Sequence, residues 1–128
     1  MNIYGIGTDI VSIKRIKKAI SNNKTFKKRI FTLPEIKTCE KRVNKAHCFA
    51  KRFAAKEALF KAVGLHNKLQ FLDVEIKNNV SGLPTFNING SSLKNLKKIL
   101  KNKKFKIHLS LSDDDPWAVA SVIIFTYK

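Results

Sequence analysis

The sequence predicts an α+β fold: a compact single domain in which an antiparallel sheet packs on one long central helix. Three stretches carry that expectation. Residues 46–64, AHCFAKRFAAKEALFKAVG, place apolar side chains at helical spacing over about five turns. In residues 105–112, Phe105, Ile107, Leu109 and Leu111 alternate with Lys106, His108, Ser110 and Ser112, the period of a half-buried strand. Residues 117–127 are apolar on both faces, which suits a strand that is central in a sheet or covered by a second subunit.

The remaining elements follow in order. Residues 3–11, IYGIGTDIV, are β-branched and read as a buried strand. Residues 13–21 form a short helix with Ile13, Ile16 and Ile20 inward and Lys14, Arg15, Lys17 and Lys18 outward. Either Asp9 or Ser12 can cap it. A second helical piece covers 26–31. Thr32-Leu33-Pro34-Glu35 is a capping box with Pro in the first turn, so a helix is expected over 33–44. The central helix ends at Gly64. Strands at 71–80 and 83–88 flank the Ser81-Gly82 turn, and Pro84 moves the second toward an edge. Ser91 and Ser92 can cap a helix over 93–101, with Leu93, Leu96 and Leu100 inward. The acidic turn Asp113-Asp114-Asp115-Pro116 joins the last two strands.

A chain of 128 residues holds one core, and no linker, repeat or low-complexity run divides it, so residues 1–128 are expected to be one domain. The net charge of +17 favours a polyanionic partner. The lysines are spread along the whole chain, so the charge permits such a partner without requiring one. A basic nucleic-acid-binding module is the alternative reading. It lacks a helix-turn-helix pattern, RNP-type aromatic strands, zinc ligands and a concentrated Arg patch, so no specific nucleic-acid partner is expected. No apolar run reaches membrane-span length, and the first residues lack a basic n-region and a cleavage pattern. The expected location is cytoplasmic, with no membrane partner. Cys39 and Cys48 form no CxxC or zinc pattern and are expected to be reduced, structural thiols.

Two carboxylates stand out. Asp9 interrupts an apolar strand. Glu57 lies in the middle of the stripe formed by Ala46, Phe49, Ala50, Phe53, Phe60 and Gly64, with Arg52 and Lys56 on the other flank. A carboxylate in apolar surroundings needs a cation or a metal. For Glu57, a salt bridge to Lys61 one turn on is the simplest partner. Two oxygen donors with open positions also suit Mg²⁺ when a substrate phosphate completes the shell.

Taken together, GIGTDIVSIKRI at 5–16, KRFAAKEALFKAVG at 51–64, GLP at 82–84 and HLSLSDDDPWAVASVII at 108–124 resemble the holo-[acyl-carrier-protein] synthases, the small bacterial type of the 4′-phosphopantetheinyl transferase family. The likeness spans nearly the full chain. It implies transfer of phosphopantetheine from coenzyme A to a serine of an apo acyl carrier protein, with release of adenosine 3′,5′-bisphosphate, in support of fatty acid synthesis. It implies that Asp9 and Glu57 bind Mg²⁺ and that Lys61 contacts the coenzyme's phosphates, making Asp9, Glu57 and Lys61 the catalytic set. Arg52 falls where the adenosine end is handled, and Gly64, Pro84 and Ser112 fall at further coenzyme positions. It also implies a homotrimer with a coenzyme site in each cleft between subunits. The basic face Lys14, Arg15, Lys17 and Lys18 would meet an acidic carrier protein. The serine's proton goes to a water or a carboxylate, and both stay open.

One position departs from the resemblance. Many family members carry His directly after the SLS; here that residue is Asp113. The role of that His does not carry over. His108, on the same strand face as Ser110 and Ser112, reads as a half-exposed strand residue, with a site role as the alternative, and His47 and His66 read as surface or helix-end residues.

Overall fold

In a computed structural model, residues 1–64 and 69–128 are described, and His66 lies outside them. The order is β1 (Asn2–Ser12), α1 (Ile13–Asn22), α2 (Lys24–Ile30), α3 (Leu33–Glu40), α4 (Lys45–Val63), a 3₁₀ turn (Phe71–Asp73), β2 (Val74–Asn78), β3 (Pro84–Ile88), α5 (Gly90–Ile99), β4 (Lys104–Asp114) and β5 (Trp117–Tyr127). All strand pairs are antiparallel, in one sheet ordered β1-β5-β4 and a two-stranded sheet β2-β3. The expected α+β architecture is present, and β5 is the central strand. Among the described residues no helix is long and apolar enough to cross a membrane.

Local chemistry explains the helix starts. Ser12, and not Asp9, caps α1 by accepting from the Arg15 N–H. Thr32 and Glu35 form the expected capping box of α3, which ends at Glu40, earlier than expected. Asn89 stands at the N-cap of α5. Ser92 lies inside that helix instead and donates to Asp73 Oδ2 at 2.7 Å. Residues 71–73 form a 3₁₀ turn, so the expected strand begins only at Val74.

The core has two parts, and α4 belongs to both. Ala54, Ala55, Ala58, Leu59 and Ala62 pack beneath the sheet with Ala120, Val122 and Ile124. Cys48, Phe49 and Ala50 pack under α1 to α3 with Ile13, Ile16, Ile30 and Phe31. The buried face of α4 therefore differs from the expected stripe. Phe53, Glu57 and Phe60 are half-buried, whereas Arg52 and Lys56 are buried. The reason is the close approach of β1. A Cβ on Gly5 would collide with the Ala62 carbonyl, and one on Gly7 with the Ala58 carbonyl. Two glycines facing small side chains let strand and helix backbones touch, and this turns the alanine face inward.

Lys56 is fully buried. Its Nζ donates to Ile30 O at 2.6 Å, Glu35 Oε1 at 2.7 Å and Phe71 O at 3.0 Å. Glu35 also accepts from the Thr32 N–H at 2.9 Å and the Ile76 N–H at 3.0 Å. One ion pair thus ties α2, α3, β2 and the 3₁₀ turn to α4. All the donors and acceptors around it are occupied, as a buried charge requires.

Two further expectations are corrected. Cys39 and Cys48 are joined in a disulfide, with Cα atoms 5.4 Å apart, and are not free thiols. The turn after α3 doubles the chain back so that the end of α3 faces the start of α4. A nine-residue spacing has no motif that announces such a pairing. Strand β1 is not buried on both sides: Ile3, Ile6 and Ile10 are 65%, 67% and 59% exposed. They pair with Phe125, Ile123 and Val119 of β5, so the outer sheet face is an open apolar surface.

Lys56→Met leaves the Glu35 carboxylate buried without its cation, and should cost about 3–5 kcal/mol of unfolding free energy in a urea titration. The double variant Glu35→Gln/Lys56→Met should lose clearly less than the sum of the single losses. Additive losses would show that the two side chains are not coupled.

Candidate active site

Strand β1 and helix α4 bring Asp9 and Lys61 together from opposite ends of the sequence. Lys61 Nζ donates to Asp9 Oδ1 at 2.9 Å and to Thr8 O at 3.0 Å. The glycine contacts fix this meeting, because Gly7 seats β1 on the turn of α4 that precedes Lys61. Lys61 pairs with Asp9, not with Glu57 one turn back. No ion pair to Glu57 exists among the described residues. Burial, and next the charge of Asp9, hold the Glu57 carboxyl above its usual range, with Lys61 opposing.

This is an acid pair that an ammonium only partly neutralises. The Lys61 ammonium already occupies an oxygen cradle made of a carboxylate and a backbone carbonyl. Hard oxygen donors around a cation are the donor set that Mg²⁺ accepts. No third His, Cys, Asp or Glu completes a metal cluster among the described residues, so positions would remain for substrate oxygens.

A second feature lies on a different side of α4. A cleft of about 660 Å³ is lined by Arg42, His47, Lys51, Arg52, Pro84 and Asp113, among others. Arg52 is buried, and its Nε has no hydrogen-bond partner. No ion pair satisfies its guanidinium among the described residues, and burial pushes its pKa down. A buried cation at the wall of a cavity, with exposed Arg42 beside it, makes the cleft attractive to an anion. Lys51 pairs instead with Asp113, Nζ to Oδ1 at 3.2 Å, and His47 with Asp115 at 2.9 Å.

The structure therefore gathers the expected residues into separate groups. Asp9, Glu57 and Lys61 form one, with Gly64 a turn further on, where φ is +124° and a side chain would be strained. Arg52 and Pro84 share the cleft. Ser112 lies apart from both, exposed on β4 opposite Val119 on the open sheet face. Lys14, Arg15, Lys17 and Lys18 are exposed on α1. Lys14 and Lys17 line a groove whose other residues include Val43, Asn44 and His47, which also line the cleft. Sequence reasoning missed Arg42, Lys51 and His47; a cluster of basic residues over 41–52 was the available signal. His108 stacks edge-on against Phe125, ring centroids 5.4 Å apart, and lines neither feature.

The family model described as the 4′-phosphopantetheinyl transferase superfamily matches residues 5–122, and this chain belongs to that superfamily. Its relatives place it among the holo-[acyl-carrier-protein] synthases. The enzyme of that name from Zymomonas mobilis is 42% identical, covering 95% of this chain and 96% of its own. The one from Clostridium tetani is 44% identical, covering 95% of each chain. The crystal structure of the Bacillus anthracis holo-(acyl-carrier-protein) synthase in complex with CoA (3′,5′-ADP) superposes with a TM-score of 0.78 at 32% identity, covering 98% of both chains.

The raised pKa of Glu57 has a stability consequence. A carboxyl held up in the folded state costs nothing below its unfolded value and destabilises progressively as pH rises through the carboxylate range. Glu57→Gln should therefore make the metal-free protein more stable at neutral pH, by a few tenths to about 1 kcal/mol. Thermal melts in EDTA between pH 4 and 7 check this, and the advantage should shrink toward the acid end.

Proposed function

We propose that this chain transfers the 4′-phosphopantetheine group of coenzyme A to a serine of an apo acyl carrier protein, releasing adenosine 3′,5′-bisphosphate, in support of fatty acid synthesis. The observation that carries the reading is the meeting of Asp9, Lys61 and a charge-frustrated Glu57 at the contact of β1 and α4. Phosphoryl transfer asks a protein for positioning and charge neutralisation, and these side chains offer both. Asp9 and Glu57 would hold Mg²⁺. Bound there, the ion supplies a Lewis acid that offsets the charge of the pyrophosphate oxygens. Lys61 stands beside the acid pair on an exposed, flexible stem and adds a positive charge for the departing phosphate.

Arg52 and the cleft around it take the adenosine end, with Arg42 and Lys51 close by for phosphate and Pro84 for the apolar part. Arg52 and Glu57 are five residues apart, so they point about 140° away from each other around α4. One coenzyme molecule cannot reach both sides of the same helix without wrapping round it. This supports a site shared between subunits, in which one supplies the acid pair and its neighbour the arginine cleft, as in the homotrimer that the family resemblance implies. The open face of Ile3, Ile6 and Ile10 with half-buried Val119, Ile123 and Phe125 is the apolar surface such an assembly needs. Coenzyme-binding Gly64 and Ser112 would then lie near the seam. The basic residues of α1 border the cleft through their shared groove, which sets an acidic carrier beside the coenzyme. The nucleic-acid reading has no matching feature. Its cations are divided between α1, the cleft and the helix α5 region.

Incubation with apo acyl carrier protein, coenzyme A and Mg²⁺ should raise the intact mass of the carrier by one phosphopantetheine. EDTA, Asp9→Ala or Glu57→Ala should each abolish the gain. Near-normal transfer by either variant would remove the metal assignment. Sharing of the site is tested by mixing. Arg52→Ala and Glu57→Ala proteins, each inactive alone, should regain a fraction of wild-type activity when unfolded and refolded together. No recovery would place both residues in a site within one subunit.

A further inference from the structure

We propose that Asp113 is a specificity-determining residue of the arginine cleft: its carboxylate holds Lys51 as the cleft's own anion and sets how tightly a phosphate binds there. The inference rests on the reading of that cleft as the site for the adenosine phosphates. Asp113 is the only acid among the described residues lining a cleft that also holds Arg42, His47, Lys51 and Arg52. Its Oδ1 lies 3.2 Å from Lys51 Nζ, and both side chains are 30% exposed, so an incoming ligand can reach the pair. The placement follows from strand alternation. Asp113 pairs with Ala118, a buried residue of the inner sheet face, and so is directed at α4, whereas Ser112 and Asp114 pair with the outer-face residues Val119 and Trp117. His47 holds Asp115 at 2.9 Å and pins the same turn against the same helix.

A carboxylate in this position has two effects on an incoming phosphate. It removes one unit of positive charge from the cleft, and it occupies the ammonium that a phosphate oxygen would otherwise take. Arg42, exposed in the same cleft, has no such competitor: no ion pair to it exists among the described residues. The cleft thus contains one cation free to bind at once and one that must be exchanged. That arrangement weakens binding of an anion in the cleft, and it costs least to a ligand able to engage Arg42 first. Asp113 therefore lowers coenzyme affinity and speeds release of the bisphosphate product.

The test is calorimetric titration of coenzyme A into wild-type protein, Asp113→Asn, Lys51→Met and the double variant, at fixed ionic strength. Asp113→Asn should bind roughly three- to tenfold more tightly. In the Lys51→Met background the gain should fall below about twofold, because the carboxylate acts through that ammonium. Dephospho-coenzyme A, which lacks the 3′-phosphate, should show little of the gain. If wild type binds coenzyme A and Asp113→Asn binds it equally or more weakly, the inference is overturned while the reading of the cleft stands. A lower melting temperature with unchanged affinity would also overturn it, reducing the pair to a structural strap. If wild type does not bind coenzyme A, the functional reading fails and takes this inference with it.

Discussion

The Lys56 ammonium is the point on which the other elements converge. Its three acceptors belong to the end of α2, the capping-box glutamate of α3 and the 3₁₀ turn before β2. A buried ammonium with a vacant donor would be costly, so each of these segments is held to the position that satisfies it. The residue sits between Arg52, one turn before, and Glu57, next in the chain. Whatever orients Lys56 orients both faces of α4. Glu35 is shared between the capping box and this pair, which couples the local start of α3 to the long-range packing of the domain.

The second constraint is backbone proximity. Gly5 and Gly7 let β1 lie directly on Ala58 and Ala62. Without that contact the Asp9 carboxylate would stand too far from α4 to meet Lys61. The two constraints act on the same helix from different sides. One anchors it to the helical layer, the other to the sheet, and the acidic pair forms where the sheet contact is closest.

Local signals in the sequence were sufficient for much of the fold. The alternation of residues 105–112, the doubly apolar run ending in Tyr127, the capping box at Thr32 and the length of α4 all depend on neighbours in sequence, and all appear in the structure. The face of α4 did not. Phe53 and Phe60 dominated the apolar pattern, but the alanines are what the glycine strand admits, so the larger rings were left at the margin. The partnership of Lys56 with Glu35, the bond between Cys39 and Cys48, and the hold of Asp113 on Lys51 are tertiary and have no short-range signature. Asp9, Glu57 and Lys61 stood out because charged residues in apolar runs are conspicuous, and the structure brings them together. Arg42 and Lys51 were not, in a chain where a basic residue is the commonplace.

The glycine ridge of β1 also acts as a check on assembly. Strand side chains alternate, so a slip of one residue against β5 would bring Ile6 or Thr8 to the helix where Gly5 and Gly7 belong. Neither fits against a bare carbonyl. The same slip would turn Asp9 outward and Ile10 toward Lys61. A misaligned chain would lose its seat and its ion pair in one step, so no half-correct form of this protein can dock its first strand and still present the Asp9 carboxylate to Lys61.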